Sequence, residues 1–483
     1  MSRIHWIFAS ILLASVIRGL RSWWSLGLFG VLLLILAVPA VRSGAGRLWG
    51  RSGAARLPFW ALFAIALGPR LAWVLISGNE PWSDFARYDE IARDILAGRY
   101  LVRADTQSGI SLFLAAHYAV FGHVRMAPQI TIAVLGALQV PIVAWMGARL
   151  QDRTAGVVAG LLLAFWPESV LYVNLLGTDV LFSFFILLGV EGVLWSRLDP
   201  GRQKTALFAA GLAFGAAHWL RPYGVIFATI ALLWVVATFP GRPRARLVRG
   251  GALAAGLVLL LLPLMVLYQQ QIGVPTLTPQ HGGASLYVGA NLETKGGWSA
   301  KDIARIDDAV RAEPDRPGEH PDRKRNRVAK RLARERIARN GLQAQARMAL
   351  CHKIPHLWGV PADVAWPVAR SRVKTWQPTL KEFAKRYHTG ALFFAAMAMI
   401  LLVPQCPSDI RRLLILFALA GTGLHAIYEV QARYHHLFLP TIALLAGWGA
   451  AIYLSRPTEA VKRARTSVPP SERRDRPEGL PPS

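Results

Sequence analysis

The chain has 483 residues, of which 53% are hydrophobic and 17% charged, with a mean hydropathy of +0.34. Soluble domains carry roughly 25% charged residues, so this composition excludes an ordinary soluble enzyme and predicts an integral membrane protein. The formal charge of +27 lies in basic residues beside the apolar segments, which indicates membrane orientation and contact with anionic lipids rather than with nucleic acid. The two cysteines, Cys351 and Cys406, give neither a disulfide framework nor a Cys-x-x-Cys metal site.

Apolar runs of membrane-spanning length recur along most of the chain. A helix that crosses the hydrocarbon core of a bilayer needs about 17–25 apolar residues. Runs of about this length are 24–41, 57–77, 127–148, 154–174, 178–196, 204–220, 222–239, 251–271, 411–428 and 434–455, with shorter candidates at 4–18 and 390–404. The expected fold is therefore all-α, a polytopic bundle of about 12 transmembrane helices.

An acid-rich stretch, Pro81 to Gly98, directly follows the run 57–77. At helical spacing, 84–98 places apolar side chains on one face and charged side chains on the other. This predicts an amphipathic helix that lies along the outer face of the membrane that the chain spans. The apolar face is Phe85, Tyr88, Ile91, Ala92, Ile95 and Leu96, and the charged face is Arg87, Glu90, Arg93 and Asp94. Asp84 starts this helix, whereas Asp89, Glu90 and Asp94 are expected to be solvent-facing or structural.

Basic connectors set the direction of the spans. Basic groups with few or no acids lie at 42–56, 197–204, 242–249, 411–412 and 456–465, and the positive-inside rule places them in the cytoplasm. This requires that 108–122 does not cross the membrane, so we predict an interfacial or re-entrant helix there. The outer face then receives Asp84, the turns at Asp179, Arg221 and Arg433, and the long segment 272–389.

Five short motifs occur in a fixed order between residues 57 and 455. They are Asp84 with Tyr88, Ala92, Leu96 and Gly98; Phe165–Glu168 followed by Leu176–Phe182; Trp219–Pro222; Leu286–Asn291 with Gly297 and Trp298; and Ala432–His435 before Pro440. In this order they resemble the GT-C membrane glycosyltransferases, especially the branch of protein O-mannosyltransferases, lipid A aminoarabinose transferases and bacterial glycosyltransferase family 39 (RgtA/B/C/D-like) proteins. One departure is 106–109, Thr-Gln-Ser-Gly, where many relatives have a Pro-rich turn, which leaves the acceptor loop open.

The resemblance implies an inverting sugar transfer from a polyprenyl-phosphate-linked donor to a cell-envelope acceptor (lipid, glycan or protein). The reaction would take place at the periplasmic face of a bacterial inner membrane. Asp84 matches the catalytic aspartate, which would act as the general base. Asp179 would bind a metal, position the acceptor or orient the base. For both residues the alternative role is that of a helix N-cap.

Basic residues on the outer face are the candidate ligands of the donor phosphate. Arg221 and Arg433 offer paired donors to phosphate oxygens, and Lys353 matches a lysine found before a returning span in relatives. The alternative is that these side chains snorkel to lipid headgroups. Tyr88 and Glu168 complete the substrate-binding residues that the resemblance implies.

Two further groups of residues can be interpreted as either structural or functional. His425, Glu429, His435 and His436 lie near one outer turn, but without His-x-x-x-His spacing they are more typical of structural histidines. A divalent metal therefore stays an open possibility. The run Arg323 to Arg339 predicts a solvated basic helix, with contact to an anionic glycolipid or membrane as the alternative.

These observations give five segments. They are an N-terminal transmembrane hairpin with a basic cytoplasmic connector (1–56), a GT-C transmembrane module (57–271) with its catalytic first outer loop at 78–126, a periplasmic loop and helical region (272–389), C-terminal transmembrane helices (390–455), and a disordered cytoplasmic tail (456–483). Both termini are expected in the cytoplasm. The rival hypothesis is a transporter or flippase of a lipid-linked sugar, although transporters place polar groups near the bilayer midplane rather than at span ends.

Overall fold

The structure is a computed structural model that describes residues 3–19, 56–359, 364–401 and 409–451. Within these ranges the regular structure is helical and no strand occurs. The helices are α1 (Arg3–Gly19), α2 (Arg56–Ser77), α3 (Asp84–Leu96), α4 (Gly109–Phe121), α5 (Met126–Leu150), α6 (Arg153–Ala164), α7 (Pro167–Leu171), α8 (Asp179–Leu198), α9 (Gln203–Leu220), α10 (Gly224–Thr238), α11 (Pro243–Ile272), α12 (Gly282–Gly289), α13 (Ala300–Ala312), α14 (Pro321–Asn340), α15 (Leu342–Met348), α16 (Ile354–Gly359), α17 (Ala365–Val368), α18 (Gln377–Leu401), α19 (Asp409–Ile427) and the described part of α20 (439–451). A π-turn, Ala349–Lys353, precedes α16, and a 3-10 turn, Ala432–Phe438, precedes α20.

Five helices in the described ranges are long and apolar enough to cross a membrane. They are Phe59–Ser77, Met126–Leu150, Asp179–Leu198, Pro243–Ile272 and Ile410–Ile427. Together with the predicted runs 57–77, 127–148, 178–196, 251–271 and 411–428, they support a membrane protein with an all-α fold. The predicted count of about 12 spans is not confirmed, because the described helices give five, or six if a bent pair is one span. The predicted run 24–41 lies outside the described residues.

The predicted span 154–174 is broken at its centre. Its two parts, Arg153–Ala164 and Pro167–Asn174, meet at an angle of 55°. Trp166 has φ −65° and ψ 119°, the extended conformation that a following proline imposes by steric contact. Pro167 then starts α7, where its missing N–H is not needed. The run is apolar throughout, but its helix is interrupted.

The other predicted runs are helical but differ from continuous spans. Gln203–Leu220 is a helix outside the five, and Gly224–Thr238 has only 15 residues. The run 434–455 begins inside the 3-10 turn Ala432–Phe438 rather than in a helix. The run 390–404 is the end of a helix that starts at Gln377.

Small residues allow the closest helix contacts of the bundle. A Cβ on Gly211 of α9 would lie 2.0 Å from the Leu253 carbonyl oxygen, and one on Gly256 of α11 would lie 2.1 Å from the Phe208 carbonyl oxygen. Such backbone approach is the usual way in which membrane helices gain packing contacts. Helices α9 and α11 are thus packed closely along the middle of α9.

The segment 272–389 forms helices, as its pattern predicts. Helices α12, α13 and α14 share a small core of Ala284, Tyr287, Ile306, Ala329 and Ala333. Helix α14 is the basic helix that the sequence predicts, and five of its basic side chains pair with acids of α13 and the following loop. The pairs are Lys324 with Asp315, Arg325 with Asp307, Arg327 with Glu313 and Glu319, Arg331 with Glu313, and Arg336 with Asp302.

Helix α3 matches the predicted amphipathic helix, with one correction. Leu96, placed on the apolar face, is 47% exposed. Asp89 takes the structural one of its two expected roles, since it is buried and its carboxylate accepts hydrogen bonds from Tyr118 (2.5 Å) and His123 (3.0 Å). Burial opposes ionisation of Asp89, but these hydrogen bonds and the nearby Arg125 outweigh it and lower its pKa. Asp89 therefore attaches α3 to the end of α4.

Candidate active site

Two aspartate–arginine pairs meet at one end of the bundle. Arg433 Nη2 donates to Asp84 Oδ2 at 2.9 Å, across 349 residues of sequence. Arg221 Nη2 donates to Asp179 Oδ1 at 2.5 Å. The structure thus brings together four of the residues that the sequence singles out, each candidate acid with a candidate phosphate ligand.

Neither aspartate is a helix N-cap. Ser83 and Thr178 occupy the N-cap positions of α3 and α8 without a capping hydrogen bond from their side chains, so Asp84 and Asp179 are each the first residue inside a helix. There the carboxylates lie at the positive end of the helix dipole, which favours a negative charge. Ser83 has φ 53°, in the left-handed region that a non-glycine residue rarely adopts. This strained turn sets the direction of the Asp84 side chain at the start of α3.

The two aspartates differ in their access to solvent. The Asp84 side chain is 48% exposed, whereas that of Asp179 is 5% exposed. Gly177 allows the start of α8 to approach α3, since a Cβ there would lie 2.8 Å from the Phe85 ring and 3.5 Å from Asp179 Oδ2. Asp84 can therefore contact a ligand from outside the bundle, whereas Asp179 is buried and cannot.

Arg433 lies on a platform of aromatic rings. Its guanidinium carbon is 5.8 Å from the ring centre of Phe85, 5.1 Å from that of Trp366 and 5.7 Å from that of Tyr434. Burial opposes the charge, but Tyr434 and the two aspartates outweigh it and raise the pKa of Arg433, so it stays protonated. The rings fix a flat cation whose donors face Asp84.

Arg221 is fixed more completely. Its Nε donates to Thr178 Oγ1 at 2.9 Å and its Nη1 donates to the Tyr223 hydroxyl at 2.8 Å, in addition to the bond with Asp179. The Tyr434 ring lies 5.5 Å from its guanidinium carbon, so Arg221 and Arg433 contact the same ring. Two guanidinium groups near one ring form a local concentration of positive charge suited to a phosphate.

Tyr88 lies one helical turn after Asp84, on the partly buried face of α3. Burial, and next the charge of Asp84, raises its pKa to about 12. Its hydroxyl is therefore protonated at neutral pH and can donate a hydrogen bond within the site.

A third carboxylate, Glu429, belongs to the site and was not among the predicted site residues. It lies two residues after the end of α19, and its Oε1 accepts from Gln431 at 2.5 Å. Burial raises the pKa of Glu429, and the negative charge of Asp84 adds to this rise. The hydrogen bond from Gln431 and the positive charges of Arg433 and Lys353 oppose it. Its position four residues before Arg433, directly after an apolar run, is the signal that points to it in the sequence.

Lys353 and Glu168 are both fully buried. The Lys353 ammonium is buried and donates to the carbonyl oxygens of Gly289 and Ile427, both at 3.1 Å. Burial lowers its pKa to about 8, and the charge of Glu429 opposes this. Glu168 is 0% exposed and lies inside the bundle rather than at a span end open to substrate.

The four residues considered for a metal do not share one site. His425 stacks on Tyr434, with ring centres 4.6 Å apart, and its Nδ1 contacts the Glu429 carbonyl. His435 instead groups with Glu168 and His388. At the two pairs, both aspartates already face guanidinium groups, so this donor set fits a divalent cation poorly.

The turn that departs from the expected Pro-rich sequence packs on the end of α9. Gln107 Nε2 donates to the His218 carbonyl, and a Cβ on Gly109 would lie 2.2 Å from the Trp219 carbonyl oxygen. A groove of about 610 Å³ runs along the charged side of α3. Its lining includes Ser83, Arg87, Glu90, Arg93, Asp94 and Arg103. An open groove thus begins beside Asp84.

The fold is similar to that of a solved oligosaccharyltransferase. No protein-family model and no curated protein matches the sequence. The apo crystal structure of the Archaeoglobus fulgidus oligosaccharyltransferase matches with a TM-score of 0.52 and 14% identity, over 86% of this chain and 52% of that one. The chain therefore spans about half the length of this solved structure. The predicted resemblance is confirmed at the level of fold.

Two further solved structures match with lower scores. The oligosaccharyltransferase AglB of Archaeoglobus fulgidus, in complex with an inhibitory peptide and a dolichol-phosphate, gives a TM-score of 0.48 and 14% identity, over 84% of this chain and 52% of that one. ArnT of Cupriavidus metallidurans, bound to undecaprenyl phosphate, gives 0.37 and 15%, over 86% and 80%.

Proposed function

We propose that this chain is a membrane glycosyltransferase that transfers a sugar from a polyprenyl-phosphate-linked donor to a cell-envelope acceptor. The observation that carries the proposal is the ion pair between the half-exposed Asp84 and Arg433. The guanidinium groups of Arg433 and Arg221 lie near the same Tyr434 ring. A carboxylate next to two fixed cations matches the two needs of the reaction, a proton acceptor and a site for the leaving phosphate. The GT-C fold supports the same class of chemistry.

The donor phosphate binds to Arg433 and takes the place of the Asp84 carboxylate there. Arg433 has its Nη2 on Asp84 and is only 9% exposed, so a phosphate that reaches it gains charge-assisted hydrogen bonds from a cation already fixed by three rings. Arg221 contributes positive charge but stays with Asp179. We therefore assign Arg433 as the direct phosphate ligand and the Arg221–Asp179 pair as its support.

Asp84 then acts as the base. The acceptor hydroxyl or amine attacks the anomeric carbon while the bond between that carbon and the phosphate oxygen breaks. The acceptor proton passes to Asp84, and the polyprenyl phosphate leaves with the electron pair of the broken bond, held by Arg433. Attack on the face opposite the phosphate inverts the anomeric configuration. Tyr88, one turn from Asp84, is placed to donate a hydrogen bond to substrate.

The acceptor enters along the groove beside α3. Its lining of Ser83, Arg87, Glu90, Arg93, Asp94 and Arg103 is mixed in charge, which suits a polar glycan or glycolipid headgroup. Contact of anionic lipids with the chain stays a prediction that rests on its basic connectors.

The site faces the outer side of a bacterial inner membrane in this proposal. Cys351 is exposed in the segment Ala349–Lys353, whereas Cys406 lies outside the described residues. A membrane-impermeant maleimide added to intact spheroplasts is expected to label Cys351 in a Cys406→Ser variant. Labelling only after the membrane is opened would place the site on the cytoplasmic side and contradict this topology.

The proposed activity is tested with full-length protein in proteoliposomes. Radiolabelled polyprenyl-phosphate sugars and an envelope lipid or glycan extract are supplied, and both transfer and movement of the donor across the bilayer are measured. We expect labelled sugar to appear in the acceptor. We also expect one free polyprenyl phosphate to be released for each sugar transferred. Movement of the donor without transfer would contradict the proposal and favour the flippase.

A further inference from the structure

Three buried side chains from distant parts of the chain meet inside the bundle, apart from the two aspartate–arginine pairs. They are Glu168 in the first turn of α7, His388 in α18 and His435 in the 3-10 turn. One ligating atom of each lies within 4.8 Å of those of the other two. Their exposures are 0%, 1% and 0%, and the two imidazole ring centres are 4.6 Å apart.

The backbone fixes the orientation and the proton of each ring. His388 Nε2 contacts the Trp358 carbonyl at 2.9 Å, and His435 Nδ1 contacts the Leu357 carbonyl at 2.7 Å. A carbonyl only accepts, so in both neutral rings the proton lies on the nitrogen that faces α16. The other nitrogen, Nδ1 of His388 and Nε2 of His435, then presents a lone pair.

These two lone pairs have no hydrogen-bond partner in the structure. Leaving a buried polar atom without a partner costs about 1–3 kcal/mol, and such atoms in native proteins call for a specific explanation. Two imidazoles, each held through its other nitrogen by a backbone carbonyl, are the arrangement in which proteins present histidine to a metal. Glu168 adds an anionic oxygen donor to the same point.

We propose that Glu168, His388 and His435 bind one divalent transition-metal ion, with zinc the best match. Two imidazole nitrogens and one carboxylate oxygen form a typical zinc donor set, whereas calcium and magnesium prefer oxygen ligands. The ion joins α7, α18 and the 3-10 turn, so its role is structural. His435 lies two residues from Arg433, and the metal therefore fixes the turn that carries Arg433. This inference does not depend on the proposed sugar transfer.

The test measures metal in the purified full-length protein, produced with a tag that contains no histidine. After exposure to zinc and removal of free metal, we expect about one zinc ion per chain by inductively coupled plasma mass spectrometry. Glu168→Gln and His388→Gln are expected to lose the bound zinc. Glu168→Gln keeps the volume and an acceptor oxygen, so a purely hydrogen-bonded cluster would tolerate it.

His218→Gln is the matched control. His218 is also buried, but its Nε2 contacts the Leu277 carbonyl and its Nδ1 accepts from the Val225 amide, so both ring nitrogens have partners. We expect this variant to keep its zinc even if it is less stable.

A second measurement covers the case in which a ligand variant fails to fold. Cobalt bound to the wild-type protein in place of zinc is expected to give the visible absorption of a four-coordinate site, and a chelator is expected to lower the melting temperature. A wild-type protein without bound zinc, a Glu168→Gln variant with full zinc content, or a melting temperature that the chelator does not change would overturn the proposal.

Discussion

Arg433→Lys tests whether the planar guanidinium matters or only its charge. Lysine keeps the positive charge but loses the two-pronged contact with phosphate and the stacking on Phe85, Trp366 and Tyr434. Cation–π contacts contribute about 0.5–2 kcal/mol each, and a hydrogen bond to a charged group about 1.5–3 kcal/mol. Because lysine recovers part of both, we expect a loss of about 2–3 kcal/mol in transition-state stabilisation, which is a drop of about 30- to 150-fold in kcat/KM.

The assay is initial-rate sugar transfer in proteoliposomes at varied donor concentration. Arg336→Lys is the matched control, since Arg336 makes two bonds with Asp302 and lies 3.6 Å from the Tyr287 ring centre, but in the α12–α14 unit. We expect this control to lower thermal stability and to leave kcat/KM within about twofold. If Arg433→Lys transfers sugar as well as the wild type, Arg433 is not the phosphate ligand.

Two further substitutions separate structural roles from catalytic ones. Lys353→Met removes the donor to the Gly289 and Ile427 carbonyls, of which the first is buried, so we expect a lower melting temperature with an unchanged donor KM. A raised donor KM at an unchanged melting temperature would instead make Lys353 a phosphate ligand. Asp89→Asn weakens the bonds from Tyr118 and His123, and we expect a loss of about 1.5–3 kcal/mol in stability at pH 7. Since the pKa of Asp89 is lowered in the folded state, its contribution is complete above its unfolded value near 3.8 and is lost as the pH falls through the folded pKa. The melting temperatures of wild type and variant should therefore converge in acid, and a gap that is constant with pH would contradict this account.

The site residues could be selected from the sequence because they lie at the ends of apolar runs. Asp84, Asp179, Arg221 and Arg433 all occur at turns that the charge pattern places on one side. Their pairing could not be predicted, since Asp84 and Arg433 are 349 residues apart and nothing local relates them. The same limit hides the grouping of Glu168 with His388 and His435.

The errors in the fold have a common cause, which is that hydropathy records burial but not backbone geometry. The run 154–174 is apolar throughout, yet Pro167 bends it by 55°. Hydropathy likewise does not show which partners let a charged residue be buried. Asp89 is buried because Tyr118 and His123, from the next helix and its following turn, satisfy its carboxylate.

The most direct test of the central claim is a single-turnover comparison of wild type and Asp84→Asn with labelled polyprenyl-phosphate sugar. Asparagine keeps the size of the side chain and its contact with Arg433 but cannot take the acceptor proton. Removal of a general base costs about 100- to 10,000-fold in rate, so we expect transfer to fall by that factor while the variant still binds the donor. Transfer by Asp84→Asn at the wild-type rate would contradict the assignment of Asp84 as the base.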